Sequence, residues 1–383
     1  MKILFHCYEF PPEPGGVGSY IYQMACSLKL MGHGPVIVTS RSEGLPEEED
    51  ADCGIVYRVY DKSEIRTSRV RDKVLSLAKQ HGVQLIEGAD HHGEMAQIIK
   101  CHQRPPVVVK IHGSNPIRVL QESLILYPWQ RILLRLAHMR NLGQTRAERF
   151  SIEHADMTMI PSAKMRDELI KEGFSLPVRN EVLPNPVVAF TGELPAESDT
   201  PKILMVGRID IGKGIQYLPN IIRSVAKEMP EAMLELAGND SYARGLGSMK
   251  QWLVRRLGDA AHHVRFLGCL DRSALDRAYG EAWVVIIPSR WDNFPNIMLE
   301  SMVRSKPVVA SPNGGMPEML EGTLCSAADP GSPQFIQLLL ELLKNPSARK
   351  QAGESLRQKA NTEYAPEVVV RKYLSILESW GIS

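Results

Sequence analysis

The run KILMVGRI, residues 202–209, starts this chain a second time. Residues 2–8, KILFHCY, are built alike: a lysine, a short apolar run, then a break. The shared Lys-Ile-Leu can be chance, but the elements behind each copy repeat without it. After the first come PVIVTS (35–40), VQLIEG (83–88), PVVVKIHG (106–113) and MTMIPS (157–162). After the second come AMLELAG (232–238), HVRFLG (263–268), WVVIIPS (283–289) and PVVAS (307–311). Continuous apolar runs of this length, bounded by Gly and Pro and alternating with helical patterns, are expected as buried parallel strands of βαβ units. Between the two series FTGELPAESDTP (190–201) is polar and carries prolines, and reads as a linker.

A chain of 383 residues exceeds one ordinary core, so two domains are expected, 1–190 and 201–365. The fold class is α/β: two facing Rossmann-like, doubly wound parallel-sheet domains, with a ligand cleft at the carboxyl ends of their strands. Apolar residues at 44% and charged residues at 23% fit a globular protein. Forty-five basic against forty-four acidic residues leave +1, which gives no reason to expect nucleic acid as a partner. The six cysteines are scattered without a Cys-x-x-Cys pair, the first residues lack a signal-peptide pattern, and no run is long enough to span a bilayer. These features point to the cytoplasm.

Two segments could hold an anion. GRIDIGKG (207–214) follows the first strand of the second half; its glycines allow a tight turn and close approach, while Arg208 and Lys213 bring two positive charges to one loop. A glycine turn with solvated basic residues fits it equally. PPEPGGVGSY (11–20) follows the first strand of the first half and matches a dinucleotide fingerprint poorly, because Tyr20 and Ile21 stand where the third glycine belongs. A nicotinamide site is therefore not expected, although amides at Gly15 and Gly16 could face a phosphate at a helix start.

RWDNFPNIMLESM (290–302) sets Asp292 in a loop and Glu300 eight positions on, inside a helix that begins at Asn296 and turns Met298 and Met302 inward. Free amides at the helix start suit a phosphate, and a glutamate one turn in suits a ribose diol. An acid at a helix N-terminus and a plain surface glutamate would look the same.

Taken together, these motifs resemble the retaining glycosyltransferases of family 4, which have the GT-B fold. The acid-x7-acid signature lies at Asp292 and Glu300, and the Gly-Arg…Lys-Gly loop at Gly207, Arg208, Lys213 and Gly214. The glycine pattern lies at Pro12, Gly15, Gly16, Gly32 and His33, the strand ending on a histidine at His112, and the late Gly-Gly turn in GGMPEML (314–320). The resemblance spans nearly the whole chain. It implies that Arg208 and Lys213 bind a donor diphosphate, that Glu300 takes the ribose, and that Asp292, Phe294, Asn296 and Ile297 hold sugar and phosphates. It also implies that Gly16 closes on the diphosphate, that His112 lies beside the sugar, and that the base rests near Leu267, within 266–268. The last helix, 366–380, would return to the first domain. Two segments depart from the family pattern: Asp292 stands where glutamate is usual, and NPVV (185–188) where many relatives have Asn-Gly-Val-Asp.

The implied activity is retaining transfer of a sugar from a nucleoside-diphosphate donor, UDP- or GDP-linked, to a hydroxyl of a glycan, glycolipid or small glycoside. No cofactor or metal is called for: two fixed cations, Arg208 and Lys213, can meet the leaving charge. A nucleotide-sugar epimerase, or a non-catalytic sugar-nucleotide-binding relative, would share these motifs. In the presumed acceptor domain EGADHHGE (87–94) offers Glu87 and His91 as acceptor contacts, with plain loop polarity as the alternative. The arginine-bearing, leucine-rich segment 117–150 could lie on the inner face of an anionic membrane and meet a lipid-linked acceptor, or be a helix with a solvated basic side.

Overall fold

A computed structural model describes residues 1–12, 15–113, 142–243 and 245–382. The chain forms two compact units, Met1–Pro186 with Tyr364–Ser383, and Val187–Glu363. The described strands of the first are β1 Lys2–His6, β2 Gly34–Ser40, β3 Glu48–Ala51, β4 Gly54–Tyr60, β5 Leu85–Ala89, β6 Val107–Lys110, β7 Met157–Ile160 and β8 Asn180–Val182. They form one sheet in the order β3-β4-β2-β1-β5-β6-β7-β8. β1 pairs in parallel with β2 on one side, Lys2 opposite Gly34, and with β5 on the other, Ile3 opposite Leu85. Ile3, Leu4 and Phe5 are at most 1% exposed, so both faces of β1 are covered. That is why the run is apolar without alternation.

Helices α1 Gly16–Leu30, α2 Ser68–His81, α3 Ala96–Ile99, α4 Leu142–His154 and α5 Ala163–Lys171 belong to the same unit. In the second lie β9 Lys202–Val206, β10 Met233–Ala237, the hairpin β11 Tyr242–Ala243 and β12 Gly247–Ser248, β13 Val264–Gly268, β14 Val284–Ile287, β15 Val308–Ala310 and β16 Ser326–Ala327. Its sheet runs β13-β10-β9-β14-β15-β16, with every described pairing parallel. Its helices are α6 Leu218–Glu228, α7 Met249–Leu257, α8 Arg272–Glu281, α9 Asn296–Val303, α10 Met316–Leu320, α11 Pro333–Lys344 and α12 Pro346–Lys359. The chain then returns to the first unit as α13 Pro366–Ser379. There Val369, Val370, Tyr373 and Leu377 join the core with Tyr20, Ile21, Met24 and Leu28 of α1. Burial of such side chains contributes roughly 1.5–3 kcal/mol each before the entropy of ordering them is counted.

Each of the ten expected apolar runs contains a strand. The first sheet also departs from the all-parallel expectation at one edge, where β3 runs antiparallel to β4. GIVYRVY, which forms β4, is broken by Arg58, a residue that reads as exposed. Arg58 is instead 5% exposed, because Glu49 of β3 pairs with it at 2.8 Å. β3, β8 and β16 carry too few apolar residues to be legible as strands; they are held by a neighbouring edge.

The stretch 190–201 is strapped to the second unit. The indole of Trp283 donates to the Ser198 carbonyl at 2.8 Å, Arg349 pairs with Glu197 at 2.8 Å, and the Arg304 guanidinium lies 4.8 Å from the centre of the Phe190 ring. Its polarity therefore marks a surface strap with fixed contacts. The change of unit falls earlier, between Pro186 and Val187.

Strand order also locates where ligands can bind in each sheet. In the second, the chain moves outward from β9 through β10 to β13, then returns to the other side of β9 for β14. The carboxyl ends of β9 and β14 thus flank the switch point, where open α/β sheets leave a crevice. In the first sheet the same reversal lies between β1 and β5.

Candidate active site

The loop after β9 and the loop after β14 are the two motif segments of the second half, and the fold makes them neighbours. Gly207, at φ 134°, leaves β9, with its amide bonded to Ala237 O at 2.8 Å. A Cβ on Gly238 would run into the Gly207 carbonyl, so the strand ends approach as only glycine permits. Asp210 then caps the turn Ile211–Lys213 by accepting from the Lys213 amide at 2.9 Å. Gly214, at φ 87°, presses its backbone against Pro288 at the end of the β14 run, and the Arg290 amide donates to Gly212 O at 2.9 Å. Backbone contact thus fixes one loop on the other.

Between them Lys213 Nζ meets Asp292 Oδ2 at 2.6 Å. The Asp292 carboxylate raises the lysine's pKa against the opposing effect of burial, so the ammonium stays charged. The backbone of Asp292 is itself held by the Gly-Gly turn: Gly315 N donates to Asp292 O at 2.9 Å, and Gly314, at φ 72°, leaves no room for a Cβ there. Arg208 is the looser cation, its side chain 63% exposed and 3.4 Å from Asp210.

Pro295 precedes α9 and makes no side-chain cap, so among the described residues its first amides, at Asn296 and Ile297, have no side-chain acceptor. Phe294 is buried at 7% exposure and anchors the turn; Met298 and Met302 are fully buried beneath the helix. Glu300 accepts from the Tyr279 phenol at 3.2 Å. Burial raises its pKa, with the neighbouring Arg304 charge acting the other way. This is not an ordinary surface glutamate. Leu267 sits where β13 shifts register against β10, Phe266 facing Leu236 and Gly268 facing Ala237, which leaves its backbone opposite no residue.

In the first unit Gly16 opens α1, but a carboxylate of the chain itself lies at that helix start. Glu9 accepts from the Val17 amide at 3.0 Å, and its carboxyl fills the space that a Cβ on Gly15 would need. His112 follows β6, its amide donating to Asp90 Oδ1 at 2.8 Å. Burial, with Lys110 and His91 nearby, lowers the imidazole pKa well below its usual range. Burial also pushes Asp90 up to about 7, against the pull of the amides it accepts.

Glu87 is 1% exposed inside the unit and accepts from the Tyr20 phenol at 2.9 Å, rather than lying open at a loop. The polarity of EGADHHGE is mostly internal. Asp90 holds the 112–113 turn, and Glu94 accepts from Tyr8 N and Ala89 N, each at 3.1 Å. His91 remains half-buried at the end of β5, 5.8 Å from the Tyr8 ring. The sequence reading missed Asp90 and Glu94; an acid directly after a parallel strand was the signal available. The expectation for 117–150 lies outside the described residues except for α4. No helix among the described residues is long and apolar enough to cross a membrane.

A cavity of about 480 Å³ lies at the opposite end of α9, lined by Arg304, Lys306, Arg349, Lys350 and Arg357 among others. Its buried cations already serve helix ends: Arg304 binds Glu300 O, Lys306 binds Gly280 O and Ala282 O, and Arg349 binds Leu342 O and Leu343 O. Structural capping accounts for them.

Comparison with known proteins gives matches along most of the chain. Residues 14–189 match the family model described as Glycosyltransferase Family 4, and residues 200–345 the model for Glycosyl transferases group 1. An uncharacterized glycosyltransferase of Methanocaldococcus jannaschii is 35% identical over 354 residues, covering 84% of this chain and 83% of that protein. Among solved structures, sucrose-phosphate synthase from Thermosynechococcus elongatus has a TM-score of 0.75 at 17% identity, covering 99% of both chains. Anabaena Alr3699/HepE in complex with UDP-glucose has a TM-score of 0.73 at 17% identity, covering 99% of this chain and 100% of that one.

Proposed function

This chain belongs to glycosyltransferase family 4, with the GT-B fold, and from that membership we propose that it moves a sugar from a UDP- or GDP-sugar to an acceptor hydroxyl, with retention and without metal. The observation that carries this reading is the Lys213–Asp292 pair at the β9/β14 switch point, with Arg208 on the same loop. Departure of a nucleoside diphosphate from the anomeric carbon places charge on the leaving oxygen. Lys213, Arg208 and the free amides of Asn296 and Ile297 meet that charge, and one fixed donor of this kind is worth about 3–4 kcal/mol of barrier.

Asp292 has two tasks in this account. Without donor it holds the ammonium in place; with donor it yields Lys213 to phosphate and accepts from sugar hydroxyls. Glu300, stiffened by Tyr279, takes the ribose diol, and the backbone at the Leu267 register shift takes an edge of the base. On the first unit the Gly15–Gly16 amides contact the diphosphate once Glu9 moves aside. His112, kept neutral by burial, hydrogen-bonds the sugar. His91 stands on the acceptor side. The UDP-glucose complex of the Anabaena neighbour supports a nucleotide sugar as donor.

A panel of UDP- and GDP-sugars, each with and without candidate glycoside or glycolipid acceptors, tests the function. The expected result is nucleoside diphosphate released in step with an acceptor-linked product that keeps the donor's anomeric configuration, in chelator as in its absence. Epimerised donor formed without acceptor, or a complete requirement for divalent metal, contradicts the proposal.

A further inference from the structure

Beneath His112 lies a set of buried polar groups that the proposed transfer does not use. Lys110, two residues earlier on β6, and Glu87 on β5 are each 1% exposed, and Tyr20 of α1 is 2% exposed. Tyr20 donates its phenol to Glu87 Oε1 at 2.9 Å. The Lys110 ammonium lies 5.0 Å from the centre of the Tyr20 ring while donating to the Leu183 carbonyl. Tyr373 of α13, fully buried, stands beside Glu87.

Such a set is costly. Burying a carboxylate and an ammonium costs several kcal/mol each after relaxation, whereas apolar side chains at these places would pack at no such cost. Val108 and Val109, on the same strand as Lys110, show that the sheet accepts them. The cluster converges on one ring: Glu87 holds the Tyr20 phenol and Lys110 covers the ring face. That ring in turn meets the His112 imidazole edge-on, centroids 5.0 Å apart and planes inclined at 69°. Asp90 fixes the backbone of His112 by its amide, and the ring contact fixes the imidazole.

We propose that Tyr20 is a positioning residue for His112, its ring bracing the imidazole and its phenol anchored on Glu87. This rests on the reading that His112 lies beside the donor sugar. It adds a residue from α1, a helix otherwise implicated only through its first turn. Tyr20 touches no reacting atom, so its influence must pass through His112.

The test is a double-mutant cycle on the full chain: wild type, Tyr20→Phe, His112→Ala and the double variant, each assayed for kcat and donor KM and checked by thermal melting. Misplacing a group by a fraction of an ångström is enough for the expected effect, a kcat lowered about tenfold by Tyr20→Phe with donor KM changed less than about twofold. In the His112→Ala background the same substitution is expected to change kcat by less than about twofold, because the group it positions is gone. Equal loss in both backgrounds shows a general structural role and overturns the proposal, as does wild-type kcat in Tyr20→Phe. Normal kcat in His112→Ala alone instead overturns the placing of His112. Should the orphaned Glu87 carboxylate prevent Tyr20→Phe from folding, Tyr20→Phe with Glu87→Gln replaces it in the cycle, with the same expected and overturning results.

Discussion

Replacing Lys213 by alanine is expected to lower kcat at saturating donor by about two to three orders of magnitude, the range set by loss of one fixed donor to developing charge. Two effects add. The ammonium that meets the leaving phosphate disappears, and Asp292, 2.6 Å from it, is left as an unpaired carboxylate facing the same phosphate. Stability should change far less. Both side chains are partly exposed, so water solvates the remaining acid, and the loss is expected at about 1 kcal/mol or below. The measurement is steady-state turnover with a parallel thermal melt. Near-normal kcat in a folded Lys213→Ala variant removes the electrostatic core of the mechanism.

Glu300→Gln is expected to weaken nucleoside-diphosphate binding by about 10- to 100-fold, the loss of charge-assisted hydrogen bonds to a ribose diol, while inorganic pyrophosphate binds as before. The amide keeps the shape of the side chain and its neighbour Tyr279, so the contrast between the two ligands isolates the pentose contact. A pH signature accompanies it. Because burial raises the Glu300 pKa, acidification neutralises this carboxylate earlier than an exposed one, and nucleotide affinity falls with it. The sign follows from the acceptor role: the charged form binds, so affinity is full above the raised pKa and lost as pH falls through it. Isothermal titration across that range should show the fall for wild type and a flatter response for Glu300→Gln. Equal losses for nucleotide and pyrophosphate would move Glu300 off the ribose.

Much of the fold could be read because parallel strands buried on both faces must be apolar throughout. The ILMV of β9 and the VVII of β14 carry that requirement on their surface. The strands that escaped notice either break the rule, as β4 does at Arg58, or are too short to display it, as β8 and β16 are. The motif residues were legible as types, since glycine, cation and acid each answer a distinct physical need. Their pairing was not, because Lys213 and Asp292 are far apart in sequence and only the strand order of the second sheet brings them together. The burial of Glu87 was hidden for the opposite reason: an acid at a strand end looks solvated unless one knows that Tyr20 and Lys110 stand against it. Glu9 at the start of α1 was likewise invisible, because a carboxylate and a phosphate satisfy the same amides.

The most direct measurement is a crystal structure of the chain with the nucleoside diphosphate of its active donor. A phosphate oxygen is expected within about 2.7–3.2 Å of Lys213 Nζ, with the ribose hydroxyls on the Glu300 carboxylate and Asp292 released from the lysine. Diphosphate density away from residues 207–214, or a Lys213–Asp292 pair still closed beneath bound ligand, would contradict the account.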